Sequence, residues 1–219
     1  SGLGVGIPVI ILAQPRAGSH YLASLLELNG YSYGDEVLWT QSRHERPDKI
    51  GFLVHQMRTF RTPCSSFIVH SYQAKHVAKD RESEFLDACF QPCRYVYLCR
   101  NLLHSAVSWY IADAQKWYKS WSKPAVVRDV PYSFVKIARS FNWIKRFLWG
   151  EKILQDLNAY RVTYEDLTRR RETTLRLLYA HTGIAITKTE NGRAEKQVYS
   201  RKTEFIEQFK QEMLTVDEA

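Results

Sequence analysis

One segment constrains the fold of this chain more than any other: Ile10-Ile11-Leu12-Ala13-Gln14-Pro15-Arg16-Ala17-Gly18-Ser19-His20-Tyr21-Leu22. The β-branched run Val9, Ile10, Ile11 reads as a buried strand and stops at Pro15, which has no backbone donor. Leu22, Leu25, Leu26 and Leu28 then recur at helical spacing. A strand that turns through a short Gly-containing loop into a helix aims backbone N–H groups and a helix N-terminus at one point. Arg16, Ser19 and His20 add one fixed positive charge and two further polar side chains there. The expected occupant is an anion, a phosphate or a group of similar shape.

The alternation continues downstream. Residues 51–54, 67–69, 95–99 and 160–163 read as strands, and residues 79–88, 102–120, 132–149, 174–181 and 202–214 as helices. Residues 29–36, opened by Asn29-Gly30, read as an aromatic turn that carries Asp35 and Glu36. Residues 40–49 and 121–131 read as loops. Strands alternating with helices predict an α/β fold with a central parallel sheet flanked by helices. Ligands of such sheets bind beyond the carboxyl ends of the strands. The Arg16 loop and Arg100 both stand at such ends.

The chain's 219 residues fit one domain, residues 1–219. A net charge of +8 favours capture of anionic ligands. Charge is spread along the chain, and the block Arg169-Arg170-Arg171 reads as a solvated loop, so no nucleic-acid partner is expected. No apolar run approaches the roughly 20 residues that span a bilayer, and no basic leader opens the chain. A soluble, cytoplasmic protein is the expectation. Cys64, Cys89, Cys93 and Cys99 make no zinc spacing, so reduced thiols and no metal are expected.

The first loop is not a Walker A loop, which needs Gly-x-x-x-x-Gly-Lys-Ser/Thr. Only Gly18 is present, and no Lys follows it. That leaves a P-loop small-molecule kinase as the weaker alternative. A second constellation is Arg100 at a strand end with Ser108 eight residues on, about two helical turns away. A guanidinium fork and a hydroxyl together suit the oxygens of a phosphate monoester.

With both motifs in place the sequence resembles the sulfotransferases that use 3′-phosphoadenosine 5′-phosphosulfate (PAPS). Pro15-Arg16-Ala17-Gly18-Ser19-His20 is similar to their phosphosulfate loop, with Ala17 where a small hydroxyl residue is usual. Arg100 and Ser108 match their 3′-phosphate pair, and Val162-Thr163-Tyr164-Glu165-Asp166-Leu167 their late strand-turn motif. The resemblance spans Val9 to Leu214 and is nearest to the bacterial carbohydrate enzymes. It implies a P-loop-like three-layer fold and PAPS as co-substrate, without a metal. Arg16, Ala17, Gly18, Ser19, His20 and Tyr21 would cradle the phosphosulfate, and Arg100 and Ser108 the 3′-phosphate. It also implies a hydroxyl acceptor of carbohydrate or glycolipid type, with Arg16, His20 and Glu36 as the catalytic residues. A non-catalytic nucleotide-binding relic of the fold is the other reading.

Sulfuryl transfer to an alcohol needs a base within hydrogen-bond reach of the attacking hydroxyl. Glu36 is the expected base, ahead of Asp35. His55 and His70, each closing an apolar run, are alternatives. Tyr110, Trp117 and Trp121 share a helical face that could stack on a sugar, although such stripes are more often core.

Overall fold

The structure is a computed structural model that describes residues 7–36, 38, 65–116, 129–189 and 199–217. Its frame is a five-stranded sheet: β1 (Val9–Ala13), β2 (Ser32–Glu36), β3 (Ser65–His70), β4 (Arg94–Cys99) and β5 (Tyr160–Thr163). The strands lie in the order β2-β3-β1-β4-β5, and every pairing is parallel. All of β1 is inaccessible to solvent. That placement explains its unbroken apolar run, because a central parallel strand is covered on both faces.

The helices are α1 (Ser19–Leu28), α2 (Ser71–Ala78), α3 (Glu82–Phe90), α4 (Leu102–Gln115), α5 (Phe134–Arg146), α6 (Glu151–Asp156), α7 (Tyr164–Arg169), α8 (Arg171–Thr182) and α9 (Lys202–Asp217). On one sheet face Val9, Ile11 and Ala13 pack with Leu22, Leu25 and Leu26 of α1 and Leu175 and Leu178 of α8. On the other, Ile10 and Leu12 pack with Ala74 of α2, Leu86 of α3 and Leu154 of α6. A third core joins α4, α5 and α9 through Val107, Ile137 and Phe205. This is the three-layer parallel α/β architecture expected from the alternation of elements. Among the described residues no helix is long and apolar enough to cross a membrane.

Some elements differ from the sequence reading. Residues 32–36 form edge strand β2, not a turn. Ser32 and Tyr33 pair with Ser65 and Ser66 of β3 in a register that shifts before Glu36. Gly34 has no side chain because Phe67 crosses there: a Cβ would lie 2.0 Å from its ring. Helices α2 and α6 had no expectation, and α3 runs three residues later than its charged stretch suggests. Arg169 and Arg171 end and begin helices, not a loop. Residues 40–49 and 51–54 lie outside the described structure, as do His55, Cys64, Trp117 and Trp121.

Because all five strands run the same way, their carboxyl ends share one rim. Ala13 lies in register with His70 of β3 and Leu98 of β4, and Cys99 with Thr163 of β5. The segments that leave these ends therefore meet.

Candidate active site

The loop after β1 is shaped by two left-handed residues, Arg16 (φ 63°) and Gly18 (φ 88°). The Ala17 N–H closes the turn on the Gln14 carbonyl at 3.1 Å, and the Gly18 carbonyl takes the Tyr21 and Leu22 N–H groups that start α1. Only glycine fits at position 18, because a Cβ would stand 2.5 Å from the Tyr164 ring. Replacing it adds left-handed strain of about 1–2 kcal/mol to that overlap. Gly18→Ala should therefore lower stability by at least about 1 kcal/mol in denaturant titrations, and unchanged unfolding would contradict this packing. Ala17 is fully buried in the α1 core. Its methyl serves packing, which accounts for the missing hydroxyl at that place.

Gln14 ties the loop to the neighbouring strand end. Its Nε2 donates to Ser105 Oγ at 2.9 Å, and its Oε1 accepts the Arg100 N–H at 3.2 Å. Arg16 Nε reaches Ser108 Oγ at 3.4 Å, and Arg100 Nη1 donates to the Arg16 carbonyl at 3.2 Å. The Arg100 guanidinium lies 4.4 Å from the centre of the Tyr164 ring. Two arginines and Ser108 thus converge on one loop. Burial first, and the neighbouring Arg100 second, push the Arg16 pKa down to about 10, with Glu36 opposing. It remains a cation at neutral pH. Burial likewise lowers Arg100, against Tyr164 and Glu165. Arg100 Nε is buried without a hydrogen bond, since Glu165 at 3.8 Å is too distant to accept one. Two desolvated guanidiniums beside one loop, one with an unsatisfied donor, are an arrangement suited to an anion.

A second cluster centres on Glu36 at the end of β2. His20 Nε2 lies 3.3 Å and His70 Nε2 3.5 Å from its Oε1, while Gln73 Nε2 donates to Oε2 at 2.9 Å. Burial alone would raise the Glu36 pKa. Hydrogen bonds and positive charge from His20 and His70 overcome it and hold the carboxyl far below the usual carboxylate range. His70 is fixed at its other end by Nδ1, 3.1 Å from the Ala13 carbonyl. A carbonyl only accepts, so Nδ1 carries a proton and Nε2 is the nitrogen that faces Glu36. His20 Nδ1 meets the Tyr33 hydroxyl at 2.8 Å.

Arg16, Arg100 and Ser108 therefore come together, and Glu36 meets both His20 and His70. Ser19 is buried in the first turn of α1. The Tyr21 hydroxyl is buried without a hydrogen bond, and Arg171 lies 5.7 Å from its ring. Tyr110 packs against Phe205 in the third core and is unavailable for stacking on a sugar. The Asp35 side chain lies outside the described structure. Sequence reasoning missed Gln14, Tyr33 and Gln73. Gln14 left one signal, a polar residue at the end of a fully buried run. Tyr33 and Gln73 left none, because their partners come from other elements. Among the described residues no group of three or more His, Cys, Asp or Glu could hold a metal ion.

Comparison with known proteins bears on the family and the fold. The profile described as "Sulfotransferase domain" matches residues 7–216. A sulfotransferase from Alicyclobacillus acidocaldarius superposes with a TM-score of 0.53 at 12% identity, covering 92% of this chain and 90% of that one. A sulfotransferase domain from the curacin biosynthetic pathway aligns over 90% of this chain and 82% of its own length, at 13% identity and a TM-score of 0.48. No curated protein matches significantly. At its 12% identity the Alicyclobacillus structure speaks for the fold alone, whereas the profile spans both clusters and nearly every described element. The chain belongs to the sulfotransferase domain family.

Proposed function

We propose that the protein transfers the sulfuryl group of PAPS to a hydroxyl of a carbohydrate or glycolipid, in line and without a metal. The observation that carries this reading is the convergence of Arg16, Arg100 and Ser108 on the loop after β1. Arg16, Gly18, Ser19 and His20 hold the 5′-phosphosulfate. Arg100 and Ser108 hold the 3′-phosphate, with Arg100 Nε as the donor awaiting an acceptor.

The acceptor oxygen attacks sulfur while the bond from sulfur to the 5′-phosphate oxygen breaks. Negative charge grows on that leaving oxygen, and Arg16 with the loop N–H groups stabilises it. The base is the Glu36–His70 pair. A carboxylate held so acidic is a weak base by itself. His70 enters the step as the neutral imidazole: its Nε2 lone pair takes the acceptor's proton, and the imidazolium so formed is held against Glu36 Oε1.

Calorimetry with 3′-phosphoadenosine 5′-phosphate (PAP) tests the nucleotide assignment. Metal-independent binding supports it, and no binding removes it. Arg100→Ala should weaken PAP roughly 10- to 100-fold, the worth of a charge-assisted phosphate contact. A kinase of the same loop type would instead bind ATP with magnesium. PAP binding without turnover of labelled PAPS over a sugar panel would mark a relic.

A further inference from the structure

Four aromatic rings continue from the catalytic cluster. The His70 ring stacks on Tyr72 at 5.7 Å, and Tyr72 meets Trp143 of α5 at 5.3 Å. Trp143 stacks on Trp109 of α4 at 4.7 Å and touches Phe147 at 5.3 Å. Tyr72, Trp109, Trp143 and Phe147 are all half-buried, unlike the closed third core nearby. One end of this wall rests on the site, where His70 contacts Glu36; at the other, Trp109 stands next along α4 to Ser108, the hydroxyl that Arg16 reaches.

The helix that supplies Trp143 is unusual in charge. Phe134–Arg146 contains Lys136, Arg139, Lys145 and Arg146 and no acidic residue. Lys136, Arg139 and Arg146 lie seven and four residues before and three after Trp143, so they share its face. All three are exposed, and none forms an ion pair among the described residues. Ile137 and Ile144 are buried on the adjacent flank, about 100–120° round the helix from Trp143. Arg139 lies about 6 Å along the axis from Trp143, within one sugar unit for a side chain of that length.

The geometry points to an acidic saccharide as the acceptor: its ring face stacks on Trp143 and Tyr72, and its anionic group is held by Arg139 and its neighbours on α5. This rests on the sulfotransferase reading and deepens it. A ring without charge would use the wall but not the three cations. An arene without hydroxyls would fill the wall but offer nothing to His70. The reaction is the one already written, with the acceptor hydroxyl giving its proton to His70 and its oxygen to sulfur.

A matched pair, methyl β-glucuronide and methyl β-glucoside, isolates the charge. With labelled PAPS the glucuronide should show kcat/KM roughly fivefold to tenfold higher, a ratio that shrinks in high salt. Arg139→Glu should abolish the preference, whereas Lys152→Glu on α6, an equal change of charge elsewhere, should keep it. Trp143→Ala should raise KM for the glucuronide with PAP affinity unchanged, and Trp143→Phe should recover part of the loss. Saturation-transfer NMR on the PAP complex gives a readout that needs no turnover, and contact should map to the ring protons of the glucuronide. Equal use of both glycosides, insensitivity to Arg139→Glu, or absence of both turnover and NMR contact would overturn the assignment. So would equal use accompanied by Arg139-dependent adsorption to anionic phosphatidylserine vesicles, which would move the cations to a membrane role. PAP binding, measured alone, reports on the sulfotransferase reading separately, so its failure is not confused with that of the acceptor site.

Discussion

Arg16→Ala should reduce turnover with PAPS by about 10²- to 10³-fold, the usual consequence of deleting one preorganised donor to developing negative charge. The fold should not suffer in step. Burial and Arg100 disfavour the Arg16 cation in the ligand-free protein, so removing it relieves two unfavourable contributions. Arg16→Gly sharpens the contrast. Its backbone sits at φ 63°, a left-handed conformation that glycine adopts freely and other residues adopt at a cost of order 1 kcal/mol or more. Arg16→Gly should therefore match or exceed the parent in denaturant stability while being as inactive as Arg16→Ala. Equal losses of stability and activity would show that Arg16 is a structural residue.

Glu36→Gln should cost about 10²- to 10⁴-fold in kcat/KM, the range for a displaced general base. It carries a second signature in stability. The folded-state pKa of Glu36 lies far below its unfolded value of about 4.3. A group depressed in this way stabilises the fold above its unfolded pKa and loses that contribution as pH falls towards the folded one. The parent should accordingly lose stability on acidification from about pH 5 downward, and Glu36→Gln should lose less over the same interval. Chemical denaturation at pH 7 and pH 4 measures both slopes. Parallel slopes would mean that Glu36 is not held ionised by His20 and His70.

Much of the Arg16 loop and its surroundings was legible in the sequence. The β1 run, its halt at Pro15, the left-handed Gly18 and the helical leucines are neighbours along the chain, so local rules reach them. Arg100 and Ser108 were legible because a strand end and the helix that follows it at once keep them close along the chain. The Glu36 cluster was only partly so. Its carboxylate comes from an edge strand whose short, glycine-broken sequence reads as a turn, and whose pairing with β3 depends on a distant segment. His70 and Gln73 are four residues or fewer from each other yet meet Glu36 only because parallel pairing aligns β2 with β3. Tyr110, an aromatic on a regular stripe of the kind that is more often core, is indeed buried under α9, although its partner there lies far along the chain. The ring wall on Trp143 was invisible for a similar reason, since its members come from three separate segments.

The shared direction of the strands also decides where this protein can be altered with impunity. The groups of the candidate site leave the carboxyl rim, and among the described residues the opposite rim carries the entries into the strands. The Asn158–Ala159 connection into β5 is such an entry: Asn158 is exposed, and Ala159 leans on the second core. A reporter peptide spliced there should leave nucleotide affinity untouched, whereas the same peptide after Cys99 should abolish it. The fold thus separates an edge open to engineering and to evolutionary insertion from an edge on which every added residue is felt.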